Sequence, residues 1–181
     1  MDKNVVLIGY MGTGKSSVGK YLAQRLGKQF VELDEEIVKK AGKPIPAIFA
    51  EDGELVFRKL EAEVVEEWSQ GENLIISTGG GAVINPKNVE NLRKKGILIG
   101  LIARPEVILA RVEKDNNRPL LAVEDRLGKI KEMLEQRAPF YQLADYTIDG
   151  SELTLQDVGE HILGFLGGLS CGKNKNLSRG K

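Results

Sequence analysis

Eight residues near the start of the chain have the types and spacing of a phosphate-binding loop. Gly9 to Ser16 reads GYMGTGKS, which matches the pattern G-x-x-x-x-G-K-[ST]. Glycines let backbone N–H groups turn towards an anion, the helix that follows adds its positive end, and Lys15 reaches the outer phosphates. The hydroxyl of Ser16 would hold Mg²⁺. Because the motif follows the apolar run Val5 to Ile8 and opens a helix-like stretch, it predicts a nucleoside triphosphate site.

Two acidic residues and a run of glycines could complete such a site. Many P-loop proteins place an aspartate after a neighbouring strand to hold Mg²⁺, whereas here Leu74 to Ile76 runs into Ser-Thr-Gly-Gly-Gly. Glu32 and Asp34 are therefore the nearest metal carboxylates, and alternation along a strand puts them on one face. A helix cap at Asp34 explains its spacing equally well. Gly79 to Gly81 leave room for a ligand against the backbone, and a flexible turn is the alternative.

Three arginines stand out by position. Arg58 follows Glu54 by four residues and precedes Glu61 by three, so an ion pair on a helix surface is the better explanation from spacing alone. Arg137 lies near a helix end, where a surface role is the default. Arg118 follows the polar stretch 114–117 and predicts a mobile loop that carries a guanidinium. A loop arginine that closes over a γ-phosphate can contribute roughly 10³ to 10⁵ in rate.

The elements that must position these residues alternate between strands and helices. This alternation predicts a parallel α/β sheet, in which ligands lie beyond the carboxyl ends of the strands. The residues after each strand are therefore the candidates for the site. The predicted strands are Asn4 to Ile8, Gln29 to Leu33, Asn73 to Ile76, Ile97 to Ala103 and Tyr146 to Ile148.

Two apolar stripes predict amphipathic helices. One lies between Gly53 and Gly71, and the other follows Ser151 and ends at Gly167-Gly168. We expect a single domain over residues 1–169. Residues 170–181 are rich in Gly, Asn, Ser and Lys with little to bury, so we expect a disordered tail.

Composition excludes several classes of function. The chain has 26 basic and 26 acidic residues among 181, so no overall charge draws it to nucleic acid or to an anionic membrane. One cysteine and one histidine do not make an ordinary zinc site. No signal-like segment and no apolar run of about 18 residues occurs, so we expect a cytoplasmic protein without a membrane partner.

In combination, these motifs closely resemble those of the shikimate kinase family over about residues 4–166. The resemblance implies transfer of the γ-phosphoryl group of ATP to the 3-hydroxyl of shikimate, a step towards the aromatic amino acids. It also implies a three-layer P-loop kinase fold with a five-stranded parallel sheet, helices on both faces and a mobile lid at about 112–124. We expect a monomer. The matching segments are Gly9 to Ser16, Asp34 to Ile37, Asp52 to Glu54, Phe57-Arg58, Glu61, Thr78 to Gly81, Arg118 to Leu121, Arg137, Tyr141 and Ala144-Asp145.

The resemblance also assigns roles to single residues. Arg58 and Arg137 would grip the shikimate carboxylate, for which planar guanidinium groups suit better than lysine. Asp34 would accept hydrogen bonds from the ring hydroxyls and would either orient the attacking hydroxyl or also deprotonate it. Lys15, Asp34 and Arg118 are the predicted catalytic residues, Arg118 as the lid residue on the phosphates. The substrate set is Asp34, Arg58, Gly79, Gly80, Gly81 and Arg137, and the ATP set is Gly12, Thr13, Gly14, Lys15, Ser16, Ser17, Arg111 and Arg118.

Mg²⁺ is the implied cofactor, bound by Ser16 and, through water, by Glu32. The family usually has aspartate at this second position, and it usually has threonine where this chain has Ser17. Arg111 resembles the arginine that stacks on adenine. A second adenine-contacting residue falls somewhere in 150–154 without a precise position.

Two other functions remain open at this point. Another small P-loop kinase would act on gluconate or a nucleotide, and two arginines suit a nucleotide phosphate equally well. A non-catalytic nucleotide switch is the rival from a different class. Asp125 to Gly128 matches a D-x-x-G switch pattern, but it follows no strand, and the chain has no N-K-x-D guanine motif.

Overall fold

The computed structural model describes residues 3–112 and 124–174 and contains a five-stranded sheet in which every strand pairing is parallel. The strand order is β2-β3-β1-β4-β5. The predicted α/β class and all five predicted strands are therefore confirmed. The strands are β1 (Asn4–Ile8), β2 (Gln29–Glu32), β3 (Leu74–Ser77), β4 (Gly96–Ile102) and β5 (Tyr146–Asp149).

Helices connect the strands and cover both faces of the sheet. Short turns of helix at Ile45–Ala47 (α3), Ile48–Asp52 (a π-helical turn) and Ala82–Ile84 (a 3₁₀ turn) lie in the connections after β2 and β3. The longer helices are α1 (Lys15–Leu26), α2 (Leu33–Ala41), α4 (Glu54–Ser69), α5 (Pro86–Lys95), α6 (Pro105–Val112), α7 (Arg126–Tyr141) and α8 (Leu155–Asn174).

Two apolar clusters, one on each face of the sheet, form the core. Strand β1 is fully buried and contributes to both, because Val6 and Ile8 point to one cluster while Val5 and Leu7 point to the other. The larger cluster includes residues from α2, α4, α5, α6 and α7. The smaller cluster is closed by α1 and α8, where Leu22 and Ile162 are completely buried.

Helix α8 continues past the point at which the sequence predicts its end. It runs through Gly167 and Gly168 to Asn174, so the expectation that the glycine pair ends the helix is wrong. A glycine ends a helix when it takes a positive φ, as Gly27 does after α1 at 63° and Gly42 after α2 at 70°. Gly167 and Gly168 do not take a positive φ. The remainder of the predicted tail, residues 175–181, lies outside the described residues.

The predicted lid and the expected absence of a membrane-spanning helix depend on which residues the structure describes. Nearly all of the predicted lid, 113–123 with Arg118, also lies outside the described residues. Within the described ranges, no helix is both long enough and apolar enough to cross a bilayer.

Candidate active site

The phosphate-binding loop joins β1 to α1, as predicted. Gly14 precedes α1 with φ 97° and has no atom within 4 Å of the place that a Cβ would take, so glycine is required here by conformation and not by space. Lys15, the first residue of α1, is buried, and its Nζ donates to the carbonyl oxygens of Gly9 and Tyr10, each at 2.9 Å. The ammonium group is thus held against the inner side of the loop.

A cavity of about 320 Å³ lies where the carboxyl ends of β1, β2 and β3 meet. It is mainly polar, and it brings the phosphate loop together with residues that follow the other two strands. This arrangement is the one expected for ligand sites of parallel sheets. Its lining includes Gly12, Gly14, Lys15, Ser16, Ser17, Glu32, Asp34, Thr78 and Gly80.

Glu32 and Ser16 form a donor set that fits a magnesium ion. Glu32 ends β2 level with Ser77 of β3, and its Oε2 is buried with no hydrogen-bond partner among the described residues. Burial raises the pKa of Glu32, while the hydroxyls of Ser16 and Ser77 act in the opposite direction. Mg²⁺ is usually bound by one or two carboxylates together with substrate phosphates and water. One carboxylate and one exposed hydroxyl beside the phosphate loop meet this requirement.

The glycine run after β3 brings the predicted acceptor residues together. A Cβ on Gly79 would lie 2.8 Å from Asp34 Oδ1 and 3.1 Å from Glu61 Oε1. A Cβ on Gly81 would lie 2.5 Å from Arg58 Nη1, and one on Gly80 would lie 3.6 Å from Arg137 Nη1. Asp34, Arg58 and Arg137 therefore meet at one loop, although 24 and 79 residues separate Arg58 from the other two.

Arg58 makes the ion pairs that its spacing predicts, but it does not lie on an ordinary helix surface. Its Nη2 lies 3.0 Å from Glu54 Oε1, and its Nη1 lies 2.9 Å from Glu61 Oε2. Burial by itself would lower the pKa of Arg58, yet Glu61 and Glu54 outweigh burial and raise this pKa. The guanidinium is thus held in its charged form at the edge of the glycine run.

Glu61 is a buried carboxylate that the sequence does not assign to the site. Its side chain is 3% exposed, and its Oε1 has no hydrogen-bond partner among the described residues. Burial raises its pKa, Arg58 lowers it, and the nearby charge of Asp34 raises it further. The signal in the sequence was its helical spacing from Phe57 and Val64, which puts it on the buried face of α4.

Arg137 is buried on α7, contrary to the surface role that its position in the sequence suggests. It belongs to the inward stripe Ile130, Met133, Arg137 and Tyr141 of that helix. It forms no ion pair with any residue in the described ranges 3–112 and 124–174. Its charge lowers the pKa of the nearby Glu61 carboxyl group without an ion pair between the two, and a buried guanidinium of this kind is stabilised when a ligand supplies a paired anion.

Two tyrosines flank Arg137. The ring centroid of Tyr10 lies 5.7 Å from the guanidinium carbon. The hydroxyl of Tyr141 donates to the carbonyl oxygen of Gly80 at 2.7 Å, and burial raises the pKa of Tyr141 to about 12, so this hydroxyl stays protonated. Neither tyrosine is among the predicted site residues.

A second cavity of about 380 Å³ lies on the other side of the phosphate loop, beside Gly12, Thr13 and Ser17. One wall is Arg111, whose Nη2 donates to Gly150 O at 3.0 Å. The opposite walls are apolar and include Leu153, Leu155 and Val158. Leu153 thus occupies the interval 150–154 in which a second base-contacting residue was expected.

The D-x-x-G match at Asp125 to Gly128 has a structural explanation. Asp125 is the N-cap of α7, and its Oδ1 accepts a hydrogen bond from Gly128 N at 2.8 Å. A helix cap accounts for the pattern without a nucleotide switch.

The chain is similar to proteins of one known family over most of its length. The family model described as shikimate kinase matches residues 11–166. The shikimate kinase of Caldanaerobacter subterraneus subsp. tengcongensis is 50% identical over 161 residues, which cover 89% of this chain and 94% of the relative. That of Pelotomaculum thermopropionicum is 48% identical over 164 residues, which cover 91% of this chain and 95% of the relative.

Solved structures show the same similarity. The structure of shikimate kinase from Acinetobacter baumannii in complex with shikimate has a TM-score of 0.88 at 39% identity, and it covers 91% of this chain and 92% of its own. A gluconokinase from Sinorhizobium meliloti has a TM-score of 0.62 at 19% identity, covering 98% of each chain. At that identity, the second likeness shows a shared fold alone.

Proposed function

The chain belongs to the shikimate kinase family, and we propose that it transfers the γ-phosphoryl group of ATP to the 3-hydroxyl of shikimate. The product would be shikimate 3-phosphate, an intermediate on the route to the aromatic amino acids. We propose further that the protein acts in the cytoplasm as a monomer.

One observation carries the choice of acceptor. Arg137 is buried beside the glycine run without an ion pair to any described residue, and the Arg58 guanidinium lies at the same run. Two guanidinium groups at one small loop suit a carboxylate, which accepts paired hydrogen bonds from planar donors. Asp34 and the orphaned Glu61 Oε1 face the same loop, and both are acceptors for hydroxyl groups. A small hydroxylated acid satisfies both kinds of group.

The reaction requires the acceptor hydroxyl and the γ-phosphorus to lie in line. In the proposed complex, the arginines fix the carboxylate end of shikimate, and Asp34 accepts a hydrogen bond from the 3-hydroxyl and orients its oxygen towards the phosphate loop. The new bond joins that oxygen to the γ-phosphorus, the hydroxyl proton passes along its hydrogen bond to the Asp34 carboxylate, and the bond from the phosphorus to the β,γ-bridging oxygen breaks, which releases ADP. Positioning and neutralisation of charge supply most of the acceleration in such transfers.

The donor side neutralises the charge on the phosphates. Lys15 would turn part of its hydrogen bonding from the loop carbonyls to the β- and γ-phosphates. Ser16 and Glu32 would hold Mg²⁺, which when bound offsets negative charge on the phosphate oxygens. The family resemblance assigns Arg118 to the phosphates as well. Arg111 and Leu153 would lie on either side of the adenine.

An assay of ADP release across candidate acceptors tests the proposal. The pure protein with Mg·ATP is given shikimate, gluconate or a series of nucleoside monophosphates in a coupled assay. We expect shikimate to be the one acceptor of this series that is phosphorylated, and we expect Lys15→Ala to abolish that turnover. Turnover with gluconate or a nucleotide would establish the rival kinase function, and calorimetric binding of ATP without turnover of any acceptor would favour the nucleotide switch.

A further inference from the structure

Tyr10 takes part in both halves of the candidate site. We propose that Tyr10 is a positioning residue, which holds the guanidinium of Arg137 in place for the acceptor and links this arginine to the phosphate-binding loop. The inference rests on the proposed function, because it concerns the acceptor that Arg137 is proposed to bind. It assigns a specific task to the second residue of the loop motif, a position that the motif itself leaves open.

The backbone of Tyr10 belongs to the phosphate-binding loop. Its carbonyl oxygen accepts hydrogen bonds from Lys15 Nζ at 2.9 Å and from Thr13 Oγ1 at 2.8 Å. Any polyphosphate that draws on the Lys15 ammonium therefore changes the hydrogen bonding of Tyr10. The next residue in the loop also touches the acceptor side, since a Cβ on Gly80 would lie 3.2 Å from Met11 N.

The side chain of Tyr10 belongs to the acceptor side. It is 1% exposed, and its ring centroid lies 5.7 Å from the guanidinium carbon of Arg137. Its hydroxyl donates to Met133 Sδ at 3.3 Å. Met133 precedes Arg137 by four residues, so both contacts are made to the same face of α7. The ring therefore supports the guanidinium, and the hydroxyl fixes the ring against the helix that carries it.

The contact of the Tyr10 ring with Arg137 matters for function because this arginine has no ion pair among the described residues to hold it. Arg58 is held by Glu54 and Glu61, whereas Arg137 forms no ion pair within the described residues. The face of an aromatic ring attracts a guanidinium without using its N–H groups, which stay available to a carboxylate. A glutamate at the same place would compete with the acceptor for those donors.

Kinetics of Tyr10→Leu and Tyr10→Phe test the proposal. We expect Tyr10→Leu to raise the KM for shikimate about 5- to 30-fold, the range that corresponds to a guanidinium–ring contact between exposed and desolvated settings. The KM for ATP should change less than about twofold, since the loop backbone is retained. Tyr10→Phe keeps the ring and should restore most of the affinity for shikimate. Val89→Ala, a change in the same apolar cluster on α5, is the control for general loss of core packing.

A double-mutant cycle with Arg137→Ala separates positioning from core packing. If Tyr10 acts through Arg137, Tyr10→Leu should add nothing to the shikimate KM once the arginine is gone, whereas independent effects would multiply. A measurable reciprocal change should also appear in calorimetry: ADP should improve shikimate binding less in Tyr10→Leu than in the unchanged protein.

Several outcomes would overturn the inference. The inference is wrong if Tyr10→Leu leaves the KM for shikimate unchanged while Arg137→Ala raises it. It is also wrong if Tyr10→Leu and Val89→Ala raise the KM for shikimate equally. A full effect of Tyr10→Leu in the Arg137→Ala background would also refute it. Absence of shikimate turnover in the unchanged protein would instead refute the proposed function.

Discussion

Replacing Gly81 by alanine tests whether Arg58 must keep its position for the acceptor to bind. Gly81 has φ −106° and ψ −5°, which alanine adopts without strain, so the added methyl group acts through space alone. That methyl would lie 2.5 Å from Arg58 Nη1, 2.9 Å from Nη2 and 3.0 Å from Cζ. Relief to ordinary contact near 3.4 Å needs a guanidinium shift of about 0.9 Å.

This shift of the Arg58 guanidinium should change the stability of the fold little but weaken the binding of shikimate strongly. The atoms that must move are the far end of a flexible side chain, so we expect Gly81→Ala to fold with nearly unchanged thermal stability. A charge-assisted hydrogen bond contributes about 1.5–3 kcal/mol, and its loss corresponds to roughly a 10- to 150-fold fall in kcat/KM for shikimate. Most of this fall should appear in KM, because the carboxylate grip acts before and during the transfer.

Initial rates of ADP release with varied shikimate and varied ATP provide the measurement. Gly164→Ala is the matched control, since Gly164 lies within α8, does not take a positive φ and has no neighbour within 4 Å of the added Cβ. It should leave both KM values unchanged and raise the melting temperature by about 1–4 °C. A Gly81→Ala enzyme with normal shikimate KM would show that Arg58 does not bind the acceptor from its place beside the glycine run.

Two other predictions concern Arg111 in the second cavity and the buried carboxyl group of Glu61. Arg111→Ala should raise the KM for ATP about 5- to 30-fold and leave that for shikimate unchanged, because this guanidinium lines the second cavity and, among the described residues, is not part of the lining of the cavity that contains Asp34; equal increases in both KM values in initial-rate assays would contradict the assignment. Glu61 has a raised pKa, so above pH 4.5 the folded protein holds a proton that the unfolded chain has released, and stability falls as pH rises towards the folded pKa. Urea unfolding should therefore show Glu61→Gln gaining stability relative to the unchanged protein as the pH rises above 4.5, and a pH-independent difference would be inconsistent with this titration.

The sheet could be predicted from sequence because each strand is a short apolar run between turn residues. All five strands were found within about one residue of their predicted bounds. The end of α8 was missed for a local reason, since a glycine pair permits a helix stop without enforcing one. Whether Gly167 takes a positive φ depends on packing that the sequence does not display, including the contact of Leu166 with the smaller cluster.

The site could be predicted in part. Motif spacing located the phosphate loop, and Asp34, Arg58, Arg137 and the glycine run do meet at one place, although their roles stay predictions. Sequence alone favoured a surface ion pair for Arg58, and the ion pair exists, but its partner Glu61 is buried. Helical periodicity marks Glu61 as inward-facing without showing that two other helices bring charges to it.

The positions of Arg137 and Tyr10 could not be read from local pattern. Arg137 shares an inward stripe with Ile130, Met133 and Tyr141, and a single arginine in such a stripe is easily attributed to the helix surface. Tyr10 falls at a variable position of the loop motif, where any residue fits the pattern. Its contact with α7 spans more than 120 residues of sequence.

The two apolar clusters differ in how closely they are connected to the candidate site, and this difference affects which substitutions the protein can tolerate. On the face with α4 and α7, the same helical stripes hold both the packing and the charged side chains, so a substitution that loosens the interior there also shifts the chemistry. On the face with α8, Ile162 and Leu166 pack in the smaller cluster and line neither of the two cavities described above. Substitutions around these two residues, in natural variants or in laboratory selection for heat resistance, can therefore change the stability of the fold while the turnover rate stays the same.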